Sequence, residues 1–100
     1  MSFEKLLGCL AKSGAIKVLK ALERGEKRLK DIVGETGLDK STVWRRLEEF
    51  ERELRVVEVE YNRDLKVPIY KITPIGLQVL GKIKEMEEIW GEGLAEGKDR

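Results

Sequence analysis

The sequence predicts a mainly α-helical domain that carries one small β-hairpin. Three observations lead there. From Phe3 to Leu54 apolar residues recur three or four positions apart, the spacing of one helix face. Between Val57 and Ile72 the period falls to two, as in half-buried strands. After Thr73-Pro74 the helical period returns and persists to Trp90. A length of 100 residues suggests a single domain. A core of that size has little stability to spare, so self-association would help it.

Each element has its own signal. Phe3, Leu6, Leu7 and Leu10 share a helical face and predict a short opening helix. Ser13 offers an N-cap for a second helix through about Arg24, with Ile16, Leu19 and Leu22 inward, and Gly25 ends it. Glu26-Lys27-Arg28 reads as a linker. Leu29, Ile32, Val33 and Thr36 predict a short helix up to Gly37, although Arg28 is a poor cap and Gly34 weakens the helix by about 1 kcal/mol relative to alanine. Gly37 can take the left-handed conformation that stops a helix, and Asp39 can cap the next one. There Val43, Leu47, Phe50 and Leu54 form the apolar stripe, while Ser41, Arg45, Glu48 and Arg52 fall on the opposite face with Thr42, Trp44 and Glu49 beside it. Helix, glycine turn and second helix with an outward polar face make a helix-turn-helix.

Val57, Val59 and Tyr61 alternate with Glu58 and Glu60, and Val67 to Ile72 alternate again beyond the turn residues Asn62-Arg63-Asp64. This is the hairpin, with Arg63 and Lys66 at or near its tip. Thr73 caps the last helix and Pro74 occupies its first position. Ile75, Val79, Ile83, Met86 and Trp90 track one face of it, widened by Leu77 and Leu80. Gly91, Gly93 and Gly97 predict a frayed tail over 91–100. The core is expected to close around Ile16, Leu19, Leu22, Ile32, Val43, Leu47, Phe50 and Ile72.

Composition narrows the function classes. The hydrophobic fraction is 41% and the charged fraction 39%, against roughly 25% charged in ordinary domains. Asn62 and Gln78 are the only side-chain amides, a balance associated with thermophilic sources. Net charge is +1, but it is unevenly spread: Lys12 to Arg46 carries a net +5 and Leu47 to Glu60 a net −4. A basic first half is the expected footprint of a phosphate-contacting surface. Cys9 is the single cysteine and histidine is absent, so one chain can form neither a disulfide nor a Cys/His zinc site. Cys9 reads as a small buried hydrophobe. Neither a signal peptide nor an apolar run of about 20 residues is visible, so a cytoplasmic protein is expected. There is no nucleophile motif or phosphate-binding glycine loop either, so no enzyme and no cofactor is expected.

The order of elements resembles the winged helix-turn-helix of small bacterial and archaeal transcription regulators, of the ArsR-like and MarR-like kind. The resemblance covers roughly residues 13–85. It rests on Leu29-Lys30-Asp31-Ile32-Val33-Gly34-Glu35-Thr36-Gly37-Leu38, on Ser41-Thr42-Val43 followed by Arg45 and Leu47, and on Tyr70-Lys71-Ile72-Thr73-Pro74-Ile75-Gly76. It implies a recognition helix from about Lys40 in the major groove of double-stranded DNA, with the hairpin as the wing. An archaeal source is the expectation. Metal-sensing relatives carry cysteines at the start of that helix; this chain has none there, which argues against a metal site.

On this reading Arg28, Lys30, Lys40, Arg63 and Lys66 contact phosphates, while Ser41, Thr42, Trp44 and Arg45 sit over base edges. Trp44 either touches thymine methyls or packs against the wing. Arg46 is placed near the flank, where pairing with glutamate is the plainer role. Glu58 and Glu60 must lie away from phosphates. The apolar residues Phe3, Leu6, Leu7, Leu10, Ile83, Met86, Ile89 and Trp90 lie outside the winged core, and the helices at 1–12 and 76–90 are expected to pair two copies into a homodimer. Two plainer readings stand beside this one. A charged outer helix face can be merely solvated, and a winged helix can serve as a protein-interaction module. Neither the operator nor an effector ligand is announced by any residue.

Overall fold

The computed structural model describes residues 2–98. The elements run α1 (Phe3–Leu10), α2 (Ala15–Ala21), β1 (Lys27–Arg28), α3 (Leu29–Thr36), α4 (Lys40–Arg52), β2 (Val57–Asn62), β3 (Val67–Ile72) and α5 (Pro74–Lys98). The strands form an antiparallel sheet in the order β1-β3-β2. The expected helical domain with a hairpin is present, and the hairpin gains a third strand. Lys27 pairs with Tyr70 and Arg28 with Ile69. The reading of 26–28 as a linker is thereby corrected: two residues are too few to display an alternating pattern.

The core gathers the stripes of α2, α3 and α4 and the inner face of the sheet. Leu19, Leu22, Ile32, Val43, Leu47 and Phe50 are fully buried, and Ile72 and Tyr70 close the sheet side. Ile16, expected in the core, is partly buried against it. Cys9 is buried, as expected, and its burial pushes the thiol pKa up.

Local chemistry explains the element ends. α2 is shorter than expected. It starts after Gly14, whose φ of 75° suits glycine, rather than after Ser13, and it ends before Leu22. Gly37, at φ 72°, ends α3 and its N–H bonds Val33 O. Thr73 joins α5 to the body: its hydroxyl donates to Arg55 O at 2.9 Å and accepts from Gly76 N at 3.1 Å.

α5 departs from expectation in two ways. It is helical to Lys98, through the stretch 91–98 that its glycines predict to fray; Asp99 and Arg100 lie outside the described residues. Its contact face is also narrower. Leu80 and Ile83 are buried and Val79 packs beside them, whereas Ile75, Leu77, Met86 and Trp90 are exposed. Lys20 pairs with Glu87 and Lys84 with Glu23, tying α5 to α2 and the turn after it as far as Glu87. Beyond that residue the helix leaves the body. The molecule accordingly measures 58 × 31 × 22 Å, and its radius of gyration is 15.1 Å where about 13 Å is usual at this length.

Candidate nucleic-acid interface

The site is built on the start of α4. Asp39 takes extended backbone and its carboxylate accepts from Thr42 N at 3.3 Å, so the cap expected from sequence is made. The carboxylate does more than cap. The Ser41 hydroxyl donates to it at 2.6 Å and the Thr42 hydroxyl at 2.5 Å. These two hydroxyls, with the Thr42 N–H, hold the Asp39 pKa down at about 2. The carboxylate is therefore ionised at neutral pH.

With Val43 and Leu47 locked in the core, Ser41, Trp44 and Arg45 are exposed and Thr42 is half-buried. Trp44 keeps 48% of its surface accessible. Arg46 turns to the protein flank: its Nε donates to Ser13 O at 3.1 Å and its guanidinium pairs with Glu49. Glu49 also pairs with Lys12. Burial would raise the Glu49 pKa, but Lys12 and Arg46 outweigh it and hold it low.

The structure brings together three of the five residues assigned to phosphate. Arg28, Lys30 and Lys40 line one groove of about 450 Å³, floored by Leu29, Val67 and Pro68 where α3 and α4 begin beside the sheet. Arg28 is also an internal cap. It donates to Asp31 through Nε at 3.0 Å and Nη2 at 3.2 Å, and the Asp31 carboxylate accepts from its backbone N–H at 3.4 Å. That pairing raises the Arg28 pKa and lowers that of Asp31. Among the described residues, Lys30, Lys40, Arg45, Arg63 and Lys66 form no ion pair.

The wing separates the remaining two. Asn62 Oδ1 accepts from Leu65 N at 2.9 Å and closes the turn, and Lys66 sits at φ 58° just before β3. Arg63 borders a hollow with Glu26, Glu60 and Asp64, outside the groove of the three cations. Glu58 and Glu60 lie with Glu26 and Lys71 around a neighbouring hollow and do not line the cationic groove. Leu65 at the tip and Tyr61 on β2 are exposed, the first of them unremarked from sequence because a single leucine between turn residues has no periodicity.

Of the eight residues assigned to self-association, Ile83 is buried inside the protomer and is withdrawn from the set; α5 meets α2 there. Leu6 and Leu10 pack partly against the core. Phe3, Leu7, Met86, Ile89 and Trp90 are exposed, and Leu94 extends the same surface.

Residues 15–58 match the IclR helix-turn-helix domain. The match spans α2 to the start of β2 and stops short of most of the wing. Solved structures extend the likeness through the wing. The reduced form of the transcriptional regulator YodB from B. subtilis has a TM-score of 0.76 at 25% identity, over 88% of this chain and 89% of that one. The chain is a winged helix-turn-helix protein. Its helix-turn-helix is similar to that of the IclR domain, and the fold is shared with a possible ArsR-family regulator. The homodimeric winged helix-turn-helix DNA-binding domain of a possible ArsR-family regulator from Mycobacterium bovis has a TM-score of 0.75 at 18% identity, over 90% of this chain and 82% of that one. BpsR of Bordetella bronchiseptica, whose DNA binding is regulated by 6-hydroxynicotinic acid, has a TM-score of 0.73 at 21% identity over 90% of this chain. The winged helix spans 65% of the length of BpsR. No curated protein matches the chain in sequence. Among the described residues, no helix is long and apolar enough to cross a membrane, and no cluster of potential metal ligands occurs.

Proposed function

We propose that this winged helix is a homodimeric transcriptional regulator that binds double-stranded DNA by sequence. The observation that carries the reading is the grouping at the start of α4. Arg28, Lys30 and Lys40 surround one groove, and the exposed Ser41, Trp44 and Arg45 project from the same end of the helix. Cations at such a groove hold phosphates and fix register without reading sequence. Arg45 is unpaired and reaches outward, so it can form a bidentate pair with guanine O6 and N7. Ser41 and Thr42 supply the adjacent polar contacts.

Lys66 and Arg63 extend the backbone contact along the wing. Glu58 and Glu60 stay off the cationic groove, which removes an obstacle raised by the acidic stretch after Leu47. The homodimer follows from the apolar surface that one protomer leaves exposed on α1 and α5. Two-fold pairing would set two recognition helices on successive major grooves, about one DNA turn apart.

The test is selection of DNA from a random pool by the purified protein, followed by salt titration on the selected site. A palindromic consensus is expected, with affinity falling steeply as salt rises. Recovery of random sequence, or affinity indifferent to salt, would overturn the reading in favour of a protein-interaction module.

A further inference from the structure

We infer that Asp39 sets base specificity through Ser41 and Thr42, making the start of α4 a reader of exocyclic amino groups. The inference deepens the proposed DNA reading and rests on it. A hydroxyl has one proton and two lone pairs. An ionised carboxylate can only accept. The contacts of Ser41 Oγ at 2.6 Å and Thr42 Oγ1 at 2.5 Å to the two oxygens of Asp39 therefore have one possible direction. Both hydroxyl protons are committed to Asp39, and both hydroxyls present lone pairs outward.

That commitment has a consequence in the major groove. Adenine shows its N6 amino group and cytosine its N4 amino group, both donors; guanine O6 and N7 and thymine O4 are acceptors. Lone pairs meet the donors productively and face the acceptors unproductively. To serve guanine or thymine, a hydroxyl must give up a charge-assisted hydrogen bond to Asp39. The negative charge of Asp39 acts in the same sense, because it repels acceptor-rich base edges. Arg45, one turn further along the helix and free of any carboxylate, has the opposite preference. The exposed face thus reads donors at its N-terminal end and acceptors one turn later. Asp39 is a positioning residue in this scheme: it acts by orienting its neighbours.

Asp39→Asn is the informative variant. Asparagine caps a helix about as well as aspartate, so α4 keeps its start. Its carbonyl oxygen keeps the Thr42 N–H and the Ser41 hydroxyl, which share one oxygen of Asp39, and its amide donates to the Thr42 hydroxyl, whose proton is then free to face the base. The wild-type site should carry adenine or cytosine at the positions next to Ser41 and Thr42. Replacing that base by its analogue without the amino group, purine or 2-pyrimidinone, should weaken wild-type binding by about ten- to a hundredfold. In Asp39→Asn the same replacement beside Thr42 should cost less than about threefold, with guanine or thymine now tolerated there, while preference at the Ser41 and Arg45 positions stays as it was. The double variant Ser41→Ala, Thr42→Ala should lose the discrimination at both positions, which covers the case in which Asp39→Asn folds poorly. Undiminished discrimination beside Thr42 in folded Asp39→Asn or at both positions in the folded double variant, or a wild-type consensus with guanine or thymine at those positions, overturns the inference and leaves the DNA reading intact. A wild-type protein that selects no sequence overturns both.

Discussion

Arg45 and Arg46 follow one another on α4 and face different surroundings. Arg45 is exposed and unpaired, while the Arg46 side chain is 11% exposed and holds both Ser13 O and Glu49. Arg45→Ala should therefore cost about 1–3 kcal/mol of affinity on the selected site and relax one base pair, with stability nearly unchanged. Arg46→Ala should behave in reverse. It removes a hydrogen bond and a paired charge at the α2–α4 junction, and should cost about 1–3 kcal/mol of folding stability, with base preference preserved. Denaturant midpoints and binding isotherms on the same two variants check this. A stability loss in Arg45→Ala, or a changed consensus in Arg46→Ala, would contradict the assignment. Gly34 and Gly76 make a second residue-scale contrast. Both look like weak points of a helix in the sequence. An added Cβ at Gly34 meets nothing within 4 Å, so Gly34→Ala should stabilise by about 0.5–1 kcal/mol. At Gly76 the Cβ would stand 2.2 Å from Val56 O and 2.7 Å from Ile72 Cγ1. Gly76→Ala must push α5 off the sheet, and a loss of about 1–3 kcal/mol is expected. Thermal melts of the two variants that moved in the same direction would disprove the distinction.

Among the elements, those with a periodic face were legible in the sequence. α4 was read with its cap, its stripe and its outward residues, because Val43, Leu47 and Phe50 leave only one orientation in which they are buried. β2 and β3 were legible from alternation, and Pro74 after Thr73 marked the start of α5. What stayed hidden depends on long-range partners. β1 is a strand only because Lys27 and Arg28 meet Tyr70 and Ile69. The apolar width of α5 carries no hint of how far along it the body reaches, so the sequence does not separate Ile83, which the body covers, from its exposed neighbours. Arg28 reads as a poor cap, yet its backbone N–H and guanidinium both donate to Asp31 and close the start of α3. The candidate site was legible in its residue types but not in its grouping. Nothing in sequence separates Arg63 from Lys30 and Lys40, whereas the structure sets it beside Glu26, Glu60 and Asp64. For the wing this leads to a graded expectation. Lys66→Ala should weaken binding to all DNA alike and lower the salt slope by about one unit. Arg63→Ala should do less, because the acidic neighbours already offset its charge. A slope of log affinity against log salt that is unmoved in the double variant would take the wing off the phosphate backbone.

The whole molecule is elongated because α5 continues after its last tie to the body. The helix is about 37 Å long at 1.5 Å per residue. Its described surface beyond Glu87 is exposed all round and includes Ile89 at 70%, Trp90 at 69% and Leu94 at 49% exposure. A helical stretch of about three turns standing alone gains little from propensity, since isolated helices are marginal in water and owe their stability to a packed face. Phe3 and Leu7 on α1 add to the uncovered apolar surface. α1 itself packs on α2 and α4, so these residues are not masked by α5 within one protomer. Two apolar stripes of this sort are more than a monomer usually leaves in contact with water. In the proposed homodimer a second copy would cover both stripes and repeat the cationic groove on the opposite half-site. Ile89→Glu with Trp90→Glu tests this without touching the core, which the buried Ile83 would not allow. The double variant should keep its fold by circular dichroism, run as a monomer in light scattering and lose most DNA affinity, since one module then binds where two did. A wild-type protein that is monomeric at tens of micromolar, well above the Kd of a stable dimer, would refute the pairing. So would a charged variant that stays dimeric, because two glutamates buried at such a contact would have no partners to offset their desolvation.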